Sequence, residues 1–139
     1  MNKKFKVLKI DHIAIAVNNI SKSINIFSLL GMDYQDVEHI DNEKVNVVKI
    51  NPESPNHTIE LLEPSDETSL IESFLNKRGQ GLHHIALEVD DIYNAIEYLE
   101  HNNIKMIYRK PQIGANNKFI TFIHPSSTPG ILIEICQSS

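Results

Sequence analysis

A chain of 139 residues, 41% hydrophobic and 22% charged, has the composition of one folded domain or of two half-size modules sharing a core, which sets disorder aside. A net charge of −5 without a long Lys/Arg block argues against nucleic acid and anionic membrane as partners, so an anionic ligand must be met by a few placed cations. The single cysteine, Cys136, rules out an internal disulfide framework and is expected as a small buried apolar residue. A basic N-terminus without a signal-like apolar core, and the lack of any run of about 18 apolar residues, lead us to expect a cytoplasmic protein.

In chain order, the alternating run "HIAIAV" from His12 predicts a strand, and "NN" after it supplies a helix N-cap. Ile20, Ile24 and Phe27 then recur at helical spacing. "VNVVKI" from Val45 and "HTIELLE" from His57 read as strands, and "SLIESFLNKRGQG" as a helix whose Lys77 and Arg78 complement its C-terminal dipole before Gly79. The pattern then starts again. "HIALEV" from His84 predicts a strand, "DD" a cap, and Ile92, Ile96 and Leu99 a helix stripe, followed by the strands "FITFIH" and "GILIEIC".

His12 and His84 lie 72 residues apart, and at that offset Ile13/Ile85, Ala14/Ala86, Val17/Val89, Ile20/Ile92 and Ile24/Ile96 are identical. "IELLEP" from Ile59 likewise matches "IEICQS" from Ile133, which sets Glu60 against Glu134. Each half therefore reads β-α-β-β, with room for one more short strand. Strand parity puts His12 with Ala14 and Ala16, and His84 with Ala86 and Glu88, opposite the apolar faces that take the helices. Glu60 and Glu134 similarly oppose the apolar faces of their own strands.

Two histidines and two glutamates at equivalent points of a repeat, each in an otherwise apolar strand, call for a compensating charge, because unpaired buried carboxylates are costly. A divalent metal held by His12, Glu60, His84 and Glu134 supplies it; imidazole and carboxylate without thiolate suit Mn2+, Fe2+, Co2+, Ni2+ or Zn2+ and leave two octahedral positions open. The competing reading pairs both glutamates with lysines at a sheet edge. His83 points opposite to His84 and is expected to pack, while His39, His57 and His101 are expected in solvent. His124 stands at a strand end where loops commonly meet ligands. Gly114, Ala115 and Lys118 precede the same strand, either as an ordinary turn or as a place where an acyl or phosphate group approaches the backbone.

"IDHIAIAV", "IELLEP", "FLNKRGQGLHHIALEVDDI" and "IGANNKFITFIHPSSTPGILIE" together resemble, in order and over nearly the whole chain, the methylmalonyl-CoA epimerases of the vicinal oxygen chelate (glyoxalase/bleomycin resistance) superfamily. The resemblance implies an α+β fold of two βαβββ modules, about 8–64 and 81–137 of a single domain spanning 1–139, forming a curved mixed sheet around a metal-binding cleft. It further implies a divalent ion, often cobalt or manganese, a homodimer, an acyl-CoA substrate, and interconversion of (R)- and (S)-methylmalonyl-CoA through an enediolate. Carried over by position, the metal ligands are His12, Glu60, His84 and Glu134, with Glu134 also an acid/base. Gly114, Ala115, Lys118, His124, Ser126 and Ser127 are the expected substrate contacts.

Three departures stand out. Some family members have glutamine where this chain has Glu60, which makes this site one charge more negative. The family's second acid/base, a glutamate on the strand matching "KVNVVKI", is missing, leaving water, Lys49 or Glu43 as substitutes; Ser126 also replaces a common lysine. The alternatives to an epimerase are a glyoxalase I-like lactoylglutathione lyase and a non-catalytic small-molecule binding protein of the same fold.

Overall fold

The computed structural model describes residues 1–51 and 58–138. His57, expected in solvent at a strand start, lies outside the described residues. The chain divides into two compact units, His12–His83 and a second formed by Met1–Asp11 with His84–Ser139. Its elements are β1 (Val7–Ala16), α1 (Ile20–Ser23), α2 (Asn25–Leu29), β2 (Glu38–Ile40), β3 (Val45–Ile50), β4 (Ile59–Pro64), α3 (Leu70–Arg78), β5 (Gly81–Val89), α4 (Ile92–His101), β6 (Gln112–Ile113), β7 (Phe119–Ile123) and β8 (Leu132–Gln137). Among the described residues no helix is long and apolar enough to cross a membrane.

The two units repeat one topology. In the first, the strand order is β2-β3-β4-β1, with β1 parallel to β4 and the other pairs antiparallel. In the second it is β5-β8-β7-β6, with β5 parallel to β8. The short strands β2 and β6 complete the βαβββ pattern in each half.

Each unit buries its helix stripe against the apolar faces predicted from parity. Ile20, Ile24 and Phe27 pack with Ile15, Val17, Ile59 and Leu61. Ile92, Ile96 and Leu99 pack with Leu87, Val89, Ile133 and Ile135. The first helix is not continuous as expected: Ile24 interrupts it, closing α1 and opening α2. The Ser23 hydroxyl donates to the Asn19 carbonyl at 2.7 Å, the local side-chain competition that weakens serine-containing helices. Ile24 still has right-handed helical angles, so the stripe survives the break.

Both N-caps fall where the sequence places them. Asn19 accepts from the Lys22 amide at 3.0 Å and Asp91 from the Asn94 amide at 2.9 Å. A second cap was not anticipated. The Ile20 amide donates to Glu63 Oε2 at 2.8 Å, and the Ile92 amide to Gln137 Oε1 at 2.7 Å, so a side chain from the last strand of each half seals the start of its helix. The α3 helix ends as predicted, with Gly79 at φ +74° donating to the Leu75 carbonyl at 2.8 Å.

Candidate metal and acid/base site

In the unit His12–His83, parallel pairing of β1 and β4 sets Ala14 opposite Glu60, and antiparallel pairing of β3 and β4 sets Lys49 opposite Glu60. His12 Nδ1 lies 3.3 Å from Glu60 Oε2, and Lys49 Nζ lies 3.8 Å from that same oxygen. All three residues are buried. In the other unit, β5 and β8 bring Ala86 opposite Glu134, and His84 Nε2 lies 3.3 Å from Glu134 Oε1, again buried. Phe122 stands opposite Glu134 on β7 and meets the His84 ring edge-on, with centroids 5.5 Å apart. Each half thus presents one imidazole and one carboxylate on the face away from its helix.

The donor chemistry fits a divalent metal. Nitrogen and oxygen ligands about 2.1 Å from one ion, and about 90 to 110° apart, sit about 3.0 to 3.4 Å from each other. The His–Glu separation of 3.3 Å in both units lies in that interval and is longer than the common N–H···O distance. Cys136 does not compete as a ligand: it is fully buried, and burial, followed by the charges of Glu134 and Asp11, pushes its thiol far above the usual range.

The other predicted site residues fall into two groups. Gly114 follows β6, and Ala115 opens the short helical turn Ala115–Asn117 ahead of β7. Lys118 closes that turn and donates to Asp11 Oδ1 at 2.6 Å, so its charge is already met inside the unit. Burial works to lower the Lys118 pKa, but the hydrogen bond and charge of Asp11 outweigh it and leave the group above its ordinary value. His124, Ser126 and Ser127 lie beyond the far end of the five-residue β7, so that His124 is about 20 Å along the strand from Lys118. There His124 Nδ1 accepts from the Ser126 amide at 3.1 Å and meets the Ser126 hydroxyl at 2.8 Å, capping the turn Pro125–Ser127. The Ser127 hydroxyl accepts from the Lys105 amide at 3.4 Å.

His83 packs edge-on against Phe74 at 5.0 Å, as a residue turned away from the site should, while His39 and His101 are exposed. Glu43 ends the turn before β3, with Val45 and Val47 buried between it and Lys49. Asp11, one residue before His12, was not singled out in the sequence. Its partner Lys118 is 107 positions away, so no local spacing announces the pair.

The sequence model of the Glyoxalase/Bleomycin resistance protein/Dioxygenase superfamily matches residues 11–122. The mitochondrial methylmalonyl-CoA epimerase of Dictyostelium discoideum is 38% identical over 134 residues, 95% of this chain and 80% of the relative. The ethylmalonyl-CoA/methylmalonyl-CoA epimerase of Cereibacter sphaeroides is 34% identical over 93% of this chain and 97% of its own length. A solved methylmalonyl-CoA epimerase in complex with methylmalonyl-CoA and NH4+ superposes with a TM-score of 0.89 at 26% identity, covering 96% of each chain. The duplicated topology, the paired His–Glu sites and these similarities converge: the chain belongs to the methylmalonyl-CoA epimerase family within the Glyoxalase/Bleomycin resistance protein/Dioxygenase superfamily, and it is an enzyme of the epimerase class.

Proposed function

We propose that this enzyme interconverts (R)- and (S)-methylmalonyl-CoA at a site where His12, Glu60, His84 and Glu134 jointly hold one divalent ion, Co2+ or Mn2+ in the first instance. The observation that carries the reading is the pair of buried His–Glu contacts, each at 3.3 Å, at equivalent points of the two modules in a chain similar throughout its length to such epimerases. A divalent ion bound there would supply Lewis acidity toward oxygens on either side of the reacting carbon, making the proton between them easier to remove.

The protein's own groups do the rest. Glu134 takes the proton from C2 on one face and is the assigned base. His84, held against its neighbour by the Phe122 edge, fixes the direction from which the Glu134 carboxylate approaches. Their burial keeps bulk water from trading protons with the carbon. Epimerisation also needs a proton donor on the opposite face. The proposed substrate contacts are Gly114, Ala115 and Lys118 before β7 and His124, Ser126 and Ser127 after it, with the enzyme working as a cytoplasmic homodimer.

The test is solvent deuterium exchange at C2 of each epimer, run separately with Co2+-loaded enzyme and metal-free enzyme. Metal-dependent exchange with inversion from both directions is expected. Glu134→Ala is expected to abolish exchange even when loaded, whereas Glu60→Ala weakens metal binding yet retains exchange at saturating metal. Equal residual exchange in the two loaded variants refutes Glu134 as the base, and no exchange with either epimer refutes the reaction.

A further inference from the structure

The register of the two modules exposes a difference that the repeat does not predict. The residue across the sheet from the carboxylate is Phe122 on β7 for Glu134, but Lys49 on β3 for Glu60. One module answers its glutamate with an aromatic ring and the other with an ammonium group. The lysine is 9% exposed, in a strand whose Val45, Val47, Val48 and Ile50 are all buried. Lodging a charge in such a strand is costly without a partner, and the Glu60 oxygen 3.8 Å away is an opposite charge at close range.

We infer that Lys49 is the built-in counter-charge of Glu60, a positioning residue that returns this half of the site to the charge of a neutral ligand and so sets how tightly it holds a divalent ion. The inference rests on the reading of Glu60 as a metal ligand. Its physical content is simple. The ammonium and any bound cation share the carboxylate, since Lys49 and His12 face the same oxygen, Oε2. A fixed positive charge so near lowers the affinity for a dication and holds the Glu60 side chain in place before the ion arrives.

The experiment is a charge cycle read by equilibrium binding of Co2+ alone, using competition with a chromophoric chelator and the cobalt absorption band. The variants are Lys49→Met, Lys49→Arg, Glu60→Gln and the double variant Lys49→Met/Glu60→Gln. Circular dichroism first establishes that each is folded. Removing the lysine charge is expected to tighten Co2+ binding by at least tenfold, and Glu60→Gln to weaken it by at least tenfold. The double variant, whose pair is again neutral, should bind within about threefold of the parent, as should Lys49→Arg, which keeps the charge. Such charge rescue cannot come from packing alone.

Two failures separate cleanly. If Glu60→Gln weakens binding while Lys49→Met stays within threefold of the parent, the counter-charge proposal is wrong and the ligand reading stands. If Glu60→Gln changes nothing, the ligand assignment of Glu60 falls, and the proposal falls with it.

Discussion

Substituting Gly114 by alanine isolates a single close contact and tests how the turn before β7 is built. Gly114 has φ −109° and ψ −156°, an extended conformation open to any residue, so adding a methyl costs nothing in the backbone. The cost is steric. A Cβ there would lie 2.8 Å from Ile120 Cδ1, 3.0 Å from Cγ2 and 3.3 Å from Cγ1. Rotating the terminal methyl away relieves the first contact, but Cγ2 branches directly from Cβ and moves only with the whole side chain. Ile120 is buried with Ala86, Phe122 and Cys136, so that movement meets packed neighbours. Overpacking of this kind costs about 1 to 3 kcal/mol, and we expect about 2.

The assay is urea unfolding of Gly114→Ala, Ile120→Val and the double variant. Ile120→Val removes Cδ1, the atom in the shortest contact, and alone should cost about 1 kcal/mol. In the double variant the two losses should fall short of additivity by about 1 kcal/mol, because the deleted methyl makes room for the added one. A neutral Gly114→Ala, or losses that add within about 0.5 kcal/mol, refutes the steric account. The glycine would then be free for the ligand approach suggested by the sequence.

Two further predictions concern ionisable groups and need no substrate to be tested. The raised pKa of Lys118, held up by its hydrogen bond to Asp11 and by the Asp11 charge, means that the pair's contribution to stability is complete below the ordinary lysine value of 10.5 and is lost as pH climbs through the higher folded value. Urea midpoints should therefore fall above about pH 10.5 in the parent and fall less in Asp11→Asn; parallel pH profiles would disprove the linkage. Cys136, fully buried with its thiol held protonated, should resist an aromatic disulfide reagent in the native protein and react at once in denaturant, and rapid native labelling would contradict its placement.

The repeat made the larger architecture readable. The 72-residue offset, the asparagine and aspartate caps and the alternation in "HIAIAV" and "HIALEV" depend on neighbours in sequence, and local spacing carries that information. The same alternation put His12, Glu60, His84 and Glu134 on the faces away from the helices. What escaped notice depends on which residues a sheet sets side by side. The pairs made by Lys49, read as a substitute base, and by Lys118, read beside an acyl or phosphate group, went unseen because their partners Glu60 and Asp11 are chosen by strand register and distant approach. β1 runs from Val7, ahead of the alternating run at His12; "VLKI" does not alternate cleanly, and Val7, Leu8 and Ile10 are exposed. The cap that His124 places on its own turn also went unread, because a loop histidine beside serines fits a ligand contact and a turn cap alike, and only geometry shows the cap.

The seals at Ile20 and Ile92 have a consequence for how the molecule comes together. The first helix of each half is entered early in the chain, yet the side chain that satisfies its opening amide arrives 43 residues later in one case and 45 in the other. A four-residue α1 is far too short to persist alone in water. Its last amide partner comes only when β4 has docked, just as β8 completes α4. Each half is thus fastened like a clasp, with its final strand closing over its first turn of helix. Nearly equal spans impose nearly equal closure entropies, so completing the helix start costs each half about the same.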